Sequence, residues 1–229
     1  MELFTIGHSN HDMNSFIALL QQHGVTAIAD VRSQPYSRFL PQYNREALQK
    51  ILDNHGIKYV FLGRELGARP SNPDCYVEGK AVYEKIANTD LFHEGVKRVQ
   101  KGLQKHKISL LCAEKDPLTC HRAILVCQQL RHLKILINHI LNNGDLESHD
   151  QLEERMLIKH NFTNFSEAQE AQLSIFVQNG LPTREECLQE AYKLRGSEIA
   201  YIEKREQHHE ESDQTIYNRV HSKERTTVL

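Results

Sequence analysis

An α/β fold, Rossmann-like, with a mostly parallel sheet and helices on both faces, is predicted by three features of the chain. Short apolar runs alternate with helix-length segments that carry one apolar stripe each. Three times a helical pattern ends in His-Gly or His-Lys and a β-like run begins at once: His23-Gly24 before Val25 to Asp30, His55-Gly56 before Ile57 to Leu62, and His106-Lys107 before Ile108 to Cys112. Polar and reactive side chains then gather where these runs end, the edge at which parallel sheets bind ligands.

The first strand is Leu3-Phe-Thr-Ile6. Met13, Phe16, Ile17 and Leu20 follow the i, i+3, i+4, i+7 spacing of a helix with one buried face. Glycine just past a helix takes the left-handed cap and a histidine in the last turn faces the negative end of the dipole, so the punctuating histidines read as caps rather than ligands. Leu48, Ile51 and Leu52 repeat the stripe after Arg45. Gly63 to Gly79 carries three glycines and two prolines, long for a connection and typical of a lid or binding loop. Leu91 or Phe92, Val96, Val99 and Leu103 mark another helix, and Ile135 to Leu141 the last strand; crossovers between parallel strands should be right-handed. After Gly144-Asp145 the composition changes. Leu146 to Lys159, Glu167 to Val177 and Thr183 to Arg195 are helix-compatible, whereas Glu203 to Arg225 is mostly polar. The expected organisation is an α/β domain over 1–150, a helical extension over 151–204, and a polar tail over 205–229 that is a solvated helix or disordered.

Lys plus Arg number 28 against 30 Asp plus Glu, a net charge of −2, so no global field draws the chain to nucleic acid or to a membrane surface. Five cysteines at irregular spacing argue against a disulfide framework and for reduced thiols in the cytoplasm. Met1 to Gly7 lacks the character of a signal peptide, and no apolar run approaches the ~20 residues of a membrane span. Neither Gly-x-Gly-x-x-Gly nor Gly-x4-Gly-Lys-Ser/Thr occurs, so the sequence names no cofactor. It leaves the oligomeric state open.

The chemistry concentrates at the strand ends. Gly7-His8-Ser9, Asp30-Val-Arg32-Ser33 with Ser37, Gly63-Arg64, and Cys112-Ala-Glu114 followed by Cys120-His121-Arg122 would all lie on one edge. Cys120 is the candidate nucleophile: a helix amino terminus with His121 and Arg122 beside it would favour the thiolate. The opposing reading is a buried, ordinary thiol. Cys112, at the end of a buried strand, and Cys127, inside a helix, read as structural. His8, His121 and Glu114 are the candidate proton carriers. Asp30, Arg32, Ser37 and Arg122 form the candidate ligand-binding set, the two arginines acting as anion clamps or as ion-pair partners of Asp30 or Glu114. No metal ligand is assigned, because Cys-x7-Cys-His matches none of the usual zinc spacings. A phosphatase or rhodanese loop is absent, since Arg122 follows Cys120 by only two positions.

Taken together, Thr5-Ile-Gly-His-Ser9, Asp30-Val-Arg-Ser33 with Pro35 and Ser37, Leu62-Gly63 with Leu66-Gly67, Leu111-Cys-Ala-Glu114 and Cys120-His-Arg122 resemble the bacterial and archaeal family called domain of unknown function 488. His139-Ile140, Gly144 and His149 look like the close of that domain. The resemblance spans roughly residues 1–150 and implies a Rossmann-like domain with its signature residues on one side: His8, Asp30, Arg32, Ser37, Glu114, Cys120, His121 and Arg122. It implies no reaction. The leading reading is an enzyme that binds a small phosphorylated or otherwise anionic ligand, a nucleotide or nucleic-acid component being one candidate, at the carboxyl edge. Two others stand beside it: a non-catalytic ligand-sensing or interaction module, and a metal-dependent site built on the same Cys/His cluster.

Overall fold

The computed structural model describes residues 1–164 and 181–203. In chain order they form β1 (Glu2–Gly7), α1 (Met13–Gln22), β2 (Ala27–Asp30), α2 (Arg45–Asn54), β3 (Lys58–Phe61), α3 (Gly63–Leu66), β4 (Tyr76–Val77), β5 (Lys80–Ala81), α4 (Tyr83–Ala87), α5 (Asp90–Leu103), β6 (Ile108–Cys112), a π-helix (Arg122–Cys127), α6 (Gln128–Leu130), β7 (Leu136–Ile140), β8 (Leu146–Ser148), α7 (His149–Lys159) and α8 (Arg184–Ile199). Six strands make one sheet in the order β3-β2-β6-β1-β7-β8, parallel throughout except for the antiparallel β7–β8 pair at one edge. The mostly parallel α/β class read from the periodicities is the class observed.

Two-residue alternation splits the core into two layers. Phe4, Ile6, Ile28 and Leu111 face α1 and α2, packing on Phe16, Leu20, Leu48 and Leu52. Leu3, Ala29, Leu110 and Cys112 face the opposite layer, where Val99, Ala123 to Cys127, Leu152, Met156, Leu188 and Tyr192 pack. Helices α7 and α8 thus share the core of the α/β sheet. Each is started by a capping box, Ser148 with Gln151 and Thr183 with Glu186.

Gly24 and Gly56 take the left-handed conformation expected of caps, at φ +65° and +70°. His23 and His55 are the capping residues, and the His23 ring also reaches Gly144 O at 2.9 Å. Two local expectations differ. Leu146–Ser148 is a strand, with the helix starting at His149, because Leu146 and Ser148 pair with Ile140 and Asn138 of β7. The Gly63 to Gly79 segment is partly ordered into α3, a 3₁₀ turn at Pro73–Cys75 and β4. The helix expected over Glu167 to Val177 and the polar tail over 205–229 lie outside the described residues. No helix among the described residues is long and apolar enough to cross a membrane.

Candidate functional site

Strands β2, β6 and β1 lie side by side, and the chain leaving their carboxyl ends is tied together by backbone hydrogen bonds: Val31 N to Leu111 O, His8 N to Cys112 O and Ser9 N to Ala113 O, at 2.9 to 3.1 Å. Gly7 is required by this closeness, since a Cβ there would sit 1.8 Å from Glu114 O. Past β6 the chain turns through Asp116, which caps a 3₁₀ turn at Pro117–Thr119, and reaches Cys120 in an extended conformation (φ −132°, ψ 137°). Cys120 therefore stands where an N-cap stands: its carbonyl accepts from Ala123 N and Ile124 N, and its sulfur accepts from Arg122 N at 3.4 Å. The helix that follows is a π-helix whose six residues are all buried, a rare form that recurs at functional sites.

Four side chains converge there. The donor atoms of Cys112, Glu114, Cys120 and His121 all lie within 4.8 Å of one another. Cys112 Sγ is 3.5 Å from His121 Nδ1, and Cys120 Sγ is 2.9 Å from Glu114 Oε2. The other ring nitrogen of His121, Nε2, meets Val31 O at 3.0 Å. A carbonyl only accepts, so Nε2 carries a proton and Nδ1, in the neutral ring, turns its lone pair to the sulfurs. The cysteines and His121 are buried, whereas Glu114 is exposed, with its carboxyl on Cys120.

The electrostatics are lopsided. Burial pushes the Cys120 thiol up, but the hydrogen bond from Cys112, the Arg122 guanidinium and His121 outweigh it and hold it well below the ordinary thiol value. Cys112 moves well above it, through burial and through donating to Cys120. Burial and then the charge on Cys120 raise Glu114. Burial alone would lower His121, yet Cys120 and Glu114 raise it.

The other candidate residues have different company. Arg122 is 0 % exposed and spends its donors inside the protein: Nε on Thr5 Oγ1 at 3.2 Å, Nη1 on Glu114 O at 2.8 Å and Nη2 toward Lys115 O at 3.5 Å. Arg32 makes a two-pronged pair with Asp30 (Nε–Oδ1 2.9 Å, Nη2–Oδ2 2.6 Å), and Tyr59 donates to the same carboxylate at 2.7 Å. Nη1 of Arg32 has no partner among the described residues. His8 stacks on Tyr43 at 4.2 Å, with Nδ1 on Ser9 O at 2.9 Å. Burial lowers it to about 4, so at neutral pH it is uncharged. Ser37 accepts from Phe39 N and Leu40 N, holding its own loop. Two partners were missed from the sequence, Thr5 under Arg122 and the Val31 carbonyl under His121. The first left a faint signal, a hydroxyl inside an apolar strand; the second, being backbone, left none.

The comparisons with known proteins fall on this segment. A family model described as Domain of unknown function DUF488 matches residues 12–128, a little over half of the chain and including all four converging side chains. The chain belongs to this family. No curated protein and no solved structure matches it. Within the family segment lie Asp30, Arg32, Ser37, Glu114 and Cys120-His121-Arg122; Thr5, His8 and everything from Gln129 onward lie outside it.

Proposed function

We propose that this protein is a metal-dependent enzyme whose centre is the cluster at the carboxyl ends of β6 and β2, with Cys112, Cys120 and His121 as ligands to a zinc-class ion and Glu114 as the proton-handling group beside it. The observation that carries the reading is the convergence of four donor atoms within 4.8 Å, three from buried side chains and one from an exposed residue. Thiolate and imidazole suit zinc-class ions, and catalytic sites pair three protein ligands with one open position. Ideal tetrahedral bonds of about 2.0 to 2.3 Å put neighbouring donors about 3.5 Å apart. The Cys112–His121 separation of 3.5 Å fits, and the other pairs, none wider than 4.8 Å, would contract by at most about 1 Å. The Val31 carbonyl on His121 is the outer-sphere partner that ligating histidines commonly have. The buried Arg122 charge would offset the excess of thiolates. A bound ion would supply Lewis acidity and ease deprotonation of water; Glu114 would take that proton, and His8 and Arg32 would flank the approaching ligand.

A second reading, a cysteine enzyme acting on an anionic substrate, is favoured by Cys120 standing at a helix start with its sulfur on Arg122 N. Metal analysis of the full chain, purified under reducing conditions and reconstituted with zinc or cobalt, separates the two. One equivalent of metal and a thiolate-to-cobalt absorption band are expected. Cys112→Ser, Cys120→Ser and His121→Gln should each weaken binding by about tenfold or more, and Glu114→Gln should keep the metal. No bound metal and no cobalt band overturns the metal reading and leaves the cysteine reading, for which Cys120→Ser abolishes turnover of phosphorylated substrates in a screen.

A further inference from the structure

One face of the sheet carries a buried polar line that runs away from the centre, through segments beyond the family match. Thr5 and His139 are cross-strand neighbours on β1 and β7, with Thr5 Oγ1 at 2.8 Å from His139 Nδ1. His139 Nε2 is 3.1 Å from His149 Nδ1 on α7, and His149 Nε2 is 2.9 Å from Tyr192 Oη on α8. Tyr192 Oη reaches Glu153 Oε1 at 2.9 Å, and that oxygen also pairs with Arg131 Nε at 3.0 Å. From Thr5 to Glu153 every member is at most 5 % exposed, a depth at which a polar group without a partner is costly.

The direction of each bond is fixed by the two ends. Arg122 Nε can only donate, so Thr5 Oγ1 accepts from it and gives its own hydrogen to His139 Nδ1. Neutral His139 then carries its proton on Nε2 and donates to His149, which donates to Tyr192, which donates to the Glu153 carboxylate. A cation heads the chain and an anion ends it, so the dipoles align and strengthen one another. Removing the Tyr192 hydroxyl leaves His149 Nε2–H without its acceptor and cuts the line off from its anion, so the polarisation that strengthens the Thr5–Arg122 bond is lost. Arg122 in turn anchors the loop that carries Glu114, through Glu114 O and Lys115 O. The same loop is held from α8 by Arg195 Nε on Leu118 O at 2.8 Å and from α7 by Arg155 on Asp116 at 2.8 Å.

We propose that Tyr192 is a positioning residue for the Cys112–Glu114–Cys120–His121 centre, acting through His149, His139, Thr5 and Arg122, so that α7 and α8 complete the site. The inference rests on the reading that this cluster is the functional centre. It is tested in the full chain with Tyr192→Phe and Thr5→Val, with Thr5→Ser as the rescuing variant and Lys193→Ala as an exposed α8 control. Cobalt is the metal probe, read by its absorption spectrum and by its rate of release to a chelator. Iodoacetamide labelling of Cys120 in chelator-treated protein, located by peptide mass, is the readout that needs no metal. Tyr192→Phe and Thr5→Val should alter the cobalt band and speed release by about three- to tenfold, with a matching change in Cys120 labelling, while Thr5→Ser and Lys193→Ala behave as the parent. If both variants melt earlier yet keep the parent spectrum, release rate and labelling rate, the line only holds the fold and the inference is wrong. If the parent takes up no cobalt but Tyr192→Phe still changes Cys120 labelling, the metal reading fails and the positioning role stands.

Discussion

Two buried polar clusters lie on the same face of the sheet, and they are built on opposite rules. Along the line from Thr5 to Glu153 each donor meets one acceptor, and the charged ends set a single direction. At the Cys112–Glu114–Cys120–His121 cluster, atoms that would rather accept face one another: two sulfurs, a carboxyl oxygen and an imidazole nitrogen. The first arrangement stabilises a fold, because every buried group is satisfied. The second is held together at a cost by protons and by a neighbouring guanidinium, which is the arrangement expected of a centre built for an incoming ligand. Burial alone does not tell the two apart; the match of donors to acceptors does.

Arg122 belongs to both clusters, so it gives the largest effect. Arg122→Ala should destabilise by about 3 to 5 kcal/mol in urea unfolding, since it leaves Thr5, Glu114 O and the thiol charge unmatched inside. Arg122→Lys should recover only part of this, an ammonium being unable to span all three acceptors. An alanine variant of parental stability would mean that the two clusters are energetically independent.

Acid should weaken both regions through their neutral histidines, His8 beside the centre before His149 in the line. His149 is held at about 3 and His8 at about 4, both mainly by burial, against an ordinary 6.5. Arg131 also lowers His149, which is packed against His139, Tyr192 and Glu153. Below pH 6.5 the unfolded chain binds protons that the folded one refuses, so stability falls as pH falls toward 4, by on the order of 2 to 3 kcal/mol for a group shifted this far. Glu114 and Glu153 are shifted up by burial and take up protons in the folded state, which offsets part of the loss. Thermal melts between pH 7 and 4 should therefore slope downward, and His149→Gln should flatten the slope. A flat parental curve would remove the neutral histidines from the comparison.

The smallest effect on stability should come from the unmatched cluster. Glu114→Ala removes an exposed side chain and should change unfolding by no more than about 0.5 kcal/mol. It should nevertheless speed iodoacetamide reaction at Cys120, because the carboxyl lying 2.9 Å from the sulfur is gone. Large destabilisation with unchanged labelling would reverse the roles assigned to the two clusters.

What the sequence disclosed was position along the chain. Strand ends are legible from periodicity, which alone gathers His8, Asp30, Arg32, Glu114 and Cys120 at one edge. Partnership was less legible. Arg122 adjoins Cys120 in sequence, yet its guanidinium reaches Thr5 at a separation of 117 residues, and no local pattern encodes that. Cys112 looked like an ordinary strand residue because its spacing to Cys120 and His121 matches no usual zinc pattern; the 3₁₀ turn at Pro117–Thr119 and the extended Cys120 close the gap in space. His139, which by resemblance marks the close of the family domain, lies within β7 with its ring on Thr5 and His149.

The π-helix at Arg122–Cys127 has a consequence for how this segment tolerates change. An α-helix turns by about 100° per residue, so an extra residue accommodated within a turn rotates everything after it by about that angle relative to what came before. Here the wide turn lets His121 and Arg122 aim at the sheet edge while Ile124 to Cys127 and then Leu130 still reach the core. It works as a phase shifter between a reactive end and a packing end. Deleting one residue from it would convert it to the ordinary period and set the two ends at odds, so that restoring either orientation would forfeit the other. Substitution by a side chain of like volume is the kind of change such a segment can absorb; a change of length is not.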